Sequence, residues 1–101
     1  MTEENARIIN FTQQRVVVPQ DVMIRKVADE SVILNLQSTQ YFGLDDIGTD
    51  MWNVLTTSAT VQAAFETLLD EYDVEPDQLE KDLRDLIAKL VEQGLLELHS
   101  N

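Results

Sequence analysis

The spacing of apolar residues changes once along this chain, at Leu44, and that change limits the folds open to it. Before Leu44 the period is two. Val22, Ile24 and Lys26 alternate with Met23, Arg25 and Val27, and Val32, Leu34 and Leu36 alternate with Ile33, Asn35 and Gln37. Alternation of this kind belongs to strands. Ala28-Asp29-Glu30-Ser31 reads as a polar turn, Gln37-Ser38-Thr39 as a second one, and Gln40 to Leu44 as a third, very short strand. The simplest topology is a three-stranded antiparallel meander.

After Leu44 the period is that of a helix. Leu44, Ile47, Met51, Trp52 and Leu55 fall on one stripe, with Asp45 or Asp46 placed to cap the first turn. Gly48 lies inside that helix, where it costs about 1 kcal/mol against alanine and marks a close approach, expected against the sheet. Thr56 to Ala59 reads as a loop and Thr60 as the next N-cap. A second helix to about Tyr72 carries Val61, Ala64, Phe65, Leu68 and Leu69. Pro76 suits the first turn of a third helix, which carries Leu79, Leu83, Leu86, Ile87, Leu90 and Val91 and stops at Gly94 as a left-handed cap. Leu95, Leu96 and Leu98 follow as an extended tail that packs back. Arg15 to Pro19 reads as an extended lead-in. Residues 1–14, with Ile8, Ile9 and Phe11 as their large apolar residues, read as an N-terminal arm, flexible or docked at one point, ahead of a domain over 15–101. The order βββααα predicts an α+β fold, winged-helix-like, with a three-stranded antiparallel sheet followed by a three-helix bundle.

Charge decides which partners are excluded. Residues 1–44 carry four cations against five carboxylates, and residues 45–101 carry three against fourteen, so the net charge of −12 sits almost wholly in the helical half. Phosphate backbones and anionic lipid need a cationic surface, so nucleic acid and membrane are poor partners. That bears on the functional alternative, a winged-helix DNA-binding regulator. Its recognition helix would hold Lys81, Arg84 and Lys89 among Asp77, Glu80, Asp82, Asp85 and Glu92. No apolar run approaches the ~20 residues of a membrane helix, and the polar, acidic start is unlike a signal peptide. The expected compartment is the cytoplasm.

Catalytic groupings are missing. Without cysteine there is no thiolate nucleophile or thiolate metal site. His99 is close to the C-terminus, a poor place for a rigid triad. Asp45, Asp46 and Asp50 lack calcium-loop spacing, and Gly43, Gly48 and Gly94 are isolated, so no phosphate loop forms. An acyl carrier protein would need a serine in an Asp-Ser-Leu setting, and Ser31, Ser38, Ser58 and Ser100 all lack it. The chain therefore reads as a non-enzyme with no cofactor and no metal. What remains is Tyr41-Phe42-Gly43-Leu44, a brief aromatic strand placed last in the meander. At a sheet edge its backbone groups are unpaired and open to strand addition by an extended peptide.

The stretch VILNLQSTQYFGLDDIGTDMWNVL resembles the PqqD-like family, also called RiPP recognition elements. The resemblance rests on Tyr41, Phe42, Leu44, Asp45, Asp46, Gly48, Met51 and Trp52, and continues through Tyr72-Asp73-Val74 to Leu90, Gly94, Leu95 and Leu96. It implies a winged-helix-like domain that binds the leader of a ribosomally made precursor peptide and presents it to a modifying enzyme, doing no chemistry itself. Such domains serve a radical SAM enzyme in pyrroloquinoline quinone synthesis, or protease and cyclase pairs in lasso-peptide synthesis. The leader adds antiparallel to the third strand, in a groove against the third helix. The expected peptide-binding residues are Gln40, Tyr41, Phe42 and Gly43 on the strand, with Arg84, Ile87 and Val91 as the helix wall. Arg84 either meets a leader carboxylate or pairs with Glu80 or Asp85 on its own helix. The opposite shoulder of the helix, near Leu86 and Asp82, is the alternative wall.

Overall fold

The computed structural model describes residues 9–100. Five strands and three helices follow in the order β1 (Gln14–Val17), β2 (Val22–Val27), β3 (Glu30–Asn35), β4 (Tyr41–Leu44), α1 (Asp46–Thr57), α2 (Val61–Glu71), α3 (Pro76–Glu92) and β5 (Glu97–Ser100). The expected meander forms, with sheet order β2-β3-β4 and both pairings antiparallel. Val27 pairs with Glu30, so the first hairpin turns on Ala28 and Asp29 alone. Ala28 has φ 58°, a positive value at the first central position, where hairpin turns favour glycine.

The three helices are held by the caps their sequences offer. The Asp45 carboxylate accepts from the Gly48 N–H at 2.8 Å, and the Thr60 hydroxyl accepts from the Ala63 N–H at 3.0 Å. Pro76 opens α3. At its end Gly94 takes φ 73°, the Gly94 N–H donates to Val91 O at 3.1 Å, and the Leu95 N–H donates to Leu90 O at 2.8 Å. This pair of bonds is the Schellman closure, which places Leu95 and Leu96 back into the core. Gly48 is needed for a narrower reason than contact with the sheet at large. A Cβ there would sit 3.1 Å from Leu44 Cδ2 and 3.2 Å from the capping Asp45 oxygen.

One element is additional to the meander. The lead-in and the tail pair with each other as an antiparallel two-stranded sheet, β1 with β5, in which Arg15 meets His99 and Val16 meets Leu98. Residues 1–8 of the expected arm lie outside the described residues. Its remainder packs: Ile9 and Phe11 are buried core residues, and the Phe11 carbonyl accepts from the Gln62 N–H in the first turn of α2. Phe11 also meets Phe65 edge-on, with ring centroids 6.0 Å apart.

The core lies between the inner face of the β2-β3-β4 sheet and the helices. Ile33 and Leu44 come from the sheet, Trp52 and Leu55 from α1, Leu68 from α2, Leu83, Ile87 and Leu90 from α3, and Leu95 and Leu96 from the segment after it. A buried Ser31–Thr49 hydroxyl pair, 2.7 Å apart, ties β3 to α1 and leaves neither group unsatisfied. Asn35 fixes the other end of β3. Its side-chain nitrogen donates to Gly94 O at 3.0 Å, and its side-chain oxygen accepts from the Gln37 and Ser38 N–H groups.

Candidate functional site

β4 pairs with β3 through Ser31–Leu44, Val32–Gly43, Ile33–Phe42 and Leu34–Tyr41, and it ends the sheet. Among the described residues, its far side therefore presents backbone N–H and C=O groups without a strand partner. The four side chains divide as the pleat demands. Phe42 and Leu44 turn inward, Phe42 half-buried and Leu44 buried. Tyr41 and Gly43 turn outward, and Tyr41 is 70% exposed. A Cβ on Gly43 would meet nothing within 4 Å, so the outer side of the strand is open at that point. Met23, Leu34 and Tyr41 form one cross-strand row on this outer face, and Met23 and Tyr41 are exposed. Gln40 lies just before the strand. Its carbonyl accepts from the Asn35 N–H at 2.8 Å, and Thr39 beside it has φ 61°, a strained value for a β-branched residue.

Inside that edge runs a groove of about 490 Å³. Phe42, Gly43 and Leu44 form one wall, Asp82 and Leu86 of α3 the other, with Ile47 and Met51 of α1 between them and Asp45 at the end. An open trough of this size accepts side chains of an extended chain. A larger depression of about 650 Å³ lies elsewhere, between Pro19, Asn35, Val91, Gly94 and the β5 residues. It lacks the free strand edge of β4.

The expected helix-wall residues Arg84, Ile87 and Val91 do not line this groove. Ile87 is 0% exposed. It belongs to the core and presents no surface to a groove. Val91 lines the separate depression beside Gly94 and Leu96. Arg84 serves the N-terminal segment: it donates to Ile9 O at 3.0 Å and to Glu80 Oε2 at 3.0 Å, and its guanidinium lies 4.8 Å from the centre of the Phe11 ring. The α3 residues beside β4 are Asp82 and Leu86, the shoulder that the sequence left as the alternative. The reason is rotational. A helix with six large apolar residues over the thirteen positions from Leu79 to Val91 can face the sheet at several angles. Ile9, Phe11 and the β1-β5 sheet occupy neighbouring space in the core, and α3 turns Ile87 inward. Phe42 and Gly43 are thus brought together with Asp82 and Leu86, Gln40 and Tyr41 lie outside the groove lining at the start of the same edge, and Arg84, Ile87 and Val91 are carried elsewhere. Met51 and Ile47 also reach the groove, a role that helical spacing alone could not separate from core packing.

A second polar contact joins α1 to the residue after α2. The Tyr72 hydroxyl donates to Asp50 Oδ2 at 2.6 Å. That bond to a carboxylate, with burial and the charge of Asp50 adding to it, pushes the phenol from 10.0 up to about 12. Among the described residues no group of three or more histidine or acidic side chains is placed to hold a metal ion.

Comparison with known proteins agrees with the architecture. No curated protein sequence matches the chain. A structure described as "TbiB1 in Complex with the TbiA(beta) Leader Peptide" superposes with TM-score 0.73 at 34% identity, covering 79% of this chain and 93% of that one. A second, "Lasso peptide synthetase B1 complexed with the leader peptide", superposes with TM-score 0.73 at 22% identity, covering 82% and 98%, and shows the shared fold. The family model described as "Coenzyme PQQ synthesis protein D (PqqD)" matches residues 30–96, which span β3, β4 and all three helices. This match extends over more than half of the sequence, and the chain belongs to the PqqD family.

Proposed function

We propose that this protein binds the leader region of a ribosomally made precursor peptide along the free edge of β4 and presents it to a modifying enzyme. The observation that carries the reading is the unpaired edge of Tyr41–Leu44 beside an apolar groove, in a fold shared with a 34%-identical protein described in complex with a leader peptide. The leader lies as a fourth strand. Its backbone pairs with Gln40 to Leu44, and alternate side chains enter the trough between Phe42 and Leu86. The chain contributes recognition and no bond-making step. The modifying enzyme is of the radical SAM or the protease-and-cyclase kind, and the protein acts in the cytoplasm, where precursors are made. No helix among the described residues is long and apolar enough to cross a membrane.

The energetics favour modest affinity. About four backbone bonds contribute roughly 0.5–1.5 kcal/mol each, and two buried side chains roughly 1.5–3 kcal/mol each. Ordering the flexible leader opposes this by about 2–5 kcal/mol, so micromolar binding, about −8 kcal/mol, is near the upper end. The test is a titration of leader peptide into isotopically labelled protein, first the TbiA(beta) leader and then the leader of the cognate precursor. Amides of β4 should shift together with those around Met51, Asp82 and Leu86. Shifts confined to the β1-β5 sheet or to α2, or no shift with the cognate leader, would overturn the assignment.

A further inference from the structure

The groove beside β4 is lined by apolar side chains and two carboxylates, Asp45 and Asp82. Asp45 precedes α1 and accepts from the Gly48 N–H through Oδ1 as its cap, whereas Asp82 lies on α3 one turn before Leu86. On α3, Lys81 pairs with Asp85 at 3.3 Å and Arg84 pairs with Glu80 at 3.0 Å. Asp82 accepts from the neutral Gln78 amide at 2.8 Å and forms no ion pair among the described residues. Its carboxylate lines the groove with Leu86, four residues and one helical turn further on, about 6 Å along the axis. Side chains two apart on one face of a strand are about 6.6 Å apart. A strand running along the α3 axis would match this spacing, with one side chain at Leu86 and the next on the same face at Asp82. The helical half, with three cations against fourteen carboxylates, adds a field of the same sign.

Resting on the leader-binding reading, we propose that Asp82 determines specificity. The groove selects peptides that carry lysine or arginine two residues from a large apolar side chain, and it rejects glutamate or aspartate at that position. A carboxylate brought to Asp82 would face a like charge, and none of the described residues that line the groove is a cation. An ammonium or guanidinium gains a charge-assisted bond there.

The test selects a displayed library of random 12-residue peptides against the full chain and against Asp82→Lys and Asp82→Asn variants. Each variant is first checked for native circular dichroism, and position 82 is on an exposed helix surface. Peptides selected by the natural chain should share the apolar residue with a cation two positions away. They should bind about threefold to tenfold more tightly than their glutamate counterparts. Asp82→Lys should reverse the preference and Asp82→Asn should abolish it. If the selected peptides still shift β4 amides but show no charge preference, or the same preference in Asp82→Lys, the specificity assignment is wrong and the binding site stands. If no selected peptide perturbs β4, the binding reading itself fails.

Discussion

Leu86 and Ile87 are neighbours on α3 with opposite tasks, and exchanging their roles is a sharp test of the site. Leu86 is half-buried and lines the groove, whereas Ile87 is 0% exposed in the core. Full burial of a leucine side chain contributes about 1.5–3 kcal/mol. Leu86 is already partly covered in the free protein, so a bound peptide gains the remainder, roughly 1–2 kcal/mol by the same measure. Leu86→Ala should therefore raise Kd by about fivefold to thirtyfold. Ile87→Val removes one buried methylene and should lower stability by about 0.5–1.5 kcal/mol while leaving Kd unchanged. Urea unfolding followed by circular dichroism gives the stability of each variant, and fluorescence anisotropy with a labelled leader peptide gives Kd. The reasoning is refuted if Ile87→Val weakens binding at unchanged stability, or if Leu86→Ala binds like the natural chain with its fold intact.

Phe11→Ala removes a buried ring that meets Phe65 and lies under the Arg84 guanidinium; chemical denaturation should show a loss of about 3–5 kcal/mol, and an unchanged midpoint would mean that residues 9–13 do not belong to the folded unit. Ala28→Gly relieves a positive φ and should stabilise the protein by about 0.5–1 kcal/mol, read as a rise of a few degrees in Tm. The phenol of Tyr72 is raised from 10.0 to about 12, so its contribution to stability is present in full below pH 10 and is lost as pH rises toward 12. Tyr72→Phe should flatten that alkaline part of the stability curve, and an identical curve for both proteins would remove the Asp50 bond from the account.

Much of the fold was legible because its signals are local. A period of two needs only neighbouring residues to announce a strand. Asp45, Thr60, Pro76 and Gly94 sit at helix ends because each completes backbone bonds within a few positions. The free edge at Tyr41–Leu44 was likewise readable, since the last strand of a short meander has a neighbour on one side only. Trp52, expected on the core stripe of the first helix, is buried there.

The β1-β5 sheet was not legible. It joins four-residue segments from opposite ends of the chain, from Gln14 paired with Ser100 to Val17 paired with Glu97. Such a pairing leaves no periodic trace in either segment beyond a few valines and leucines. The groove wall was not legible for a related reason. Spacing along α3 determines which residues share a stripe, but not the angle at which that stripe meets the sheet. That angle depends on what else fills the core, and here Ile9, Phe11 and the segment after Gly94 supply it. The sequence by itself thus determined the three-stranded meander, the three helices, their caps and the open strand. Only the tertiary packing turned Ile87 into the core, sent Arg84 to Ile9 and Phe11, and set Asp82 and Leu86 beside β4, because the rotation of a helix is decided by contacts from residues far away in the chain.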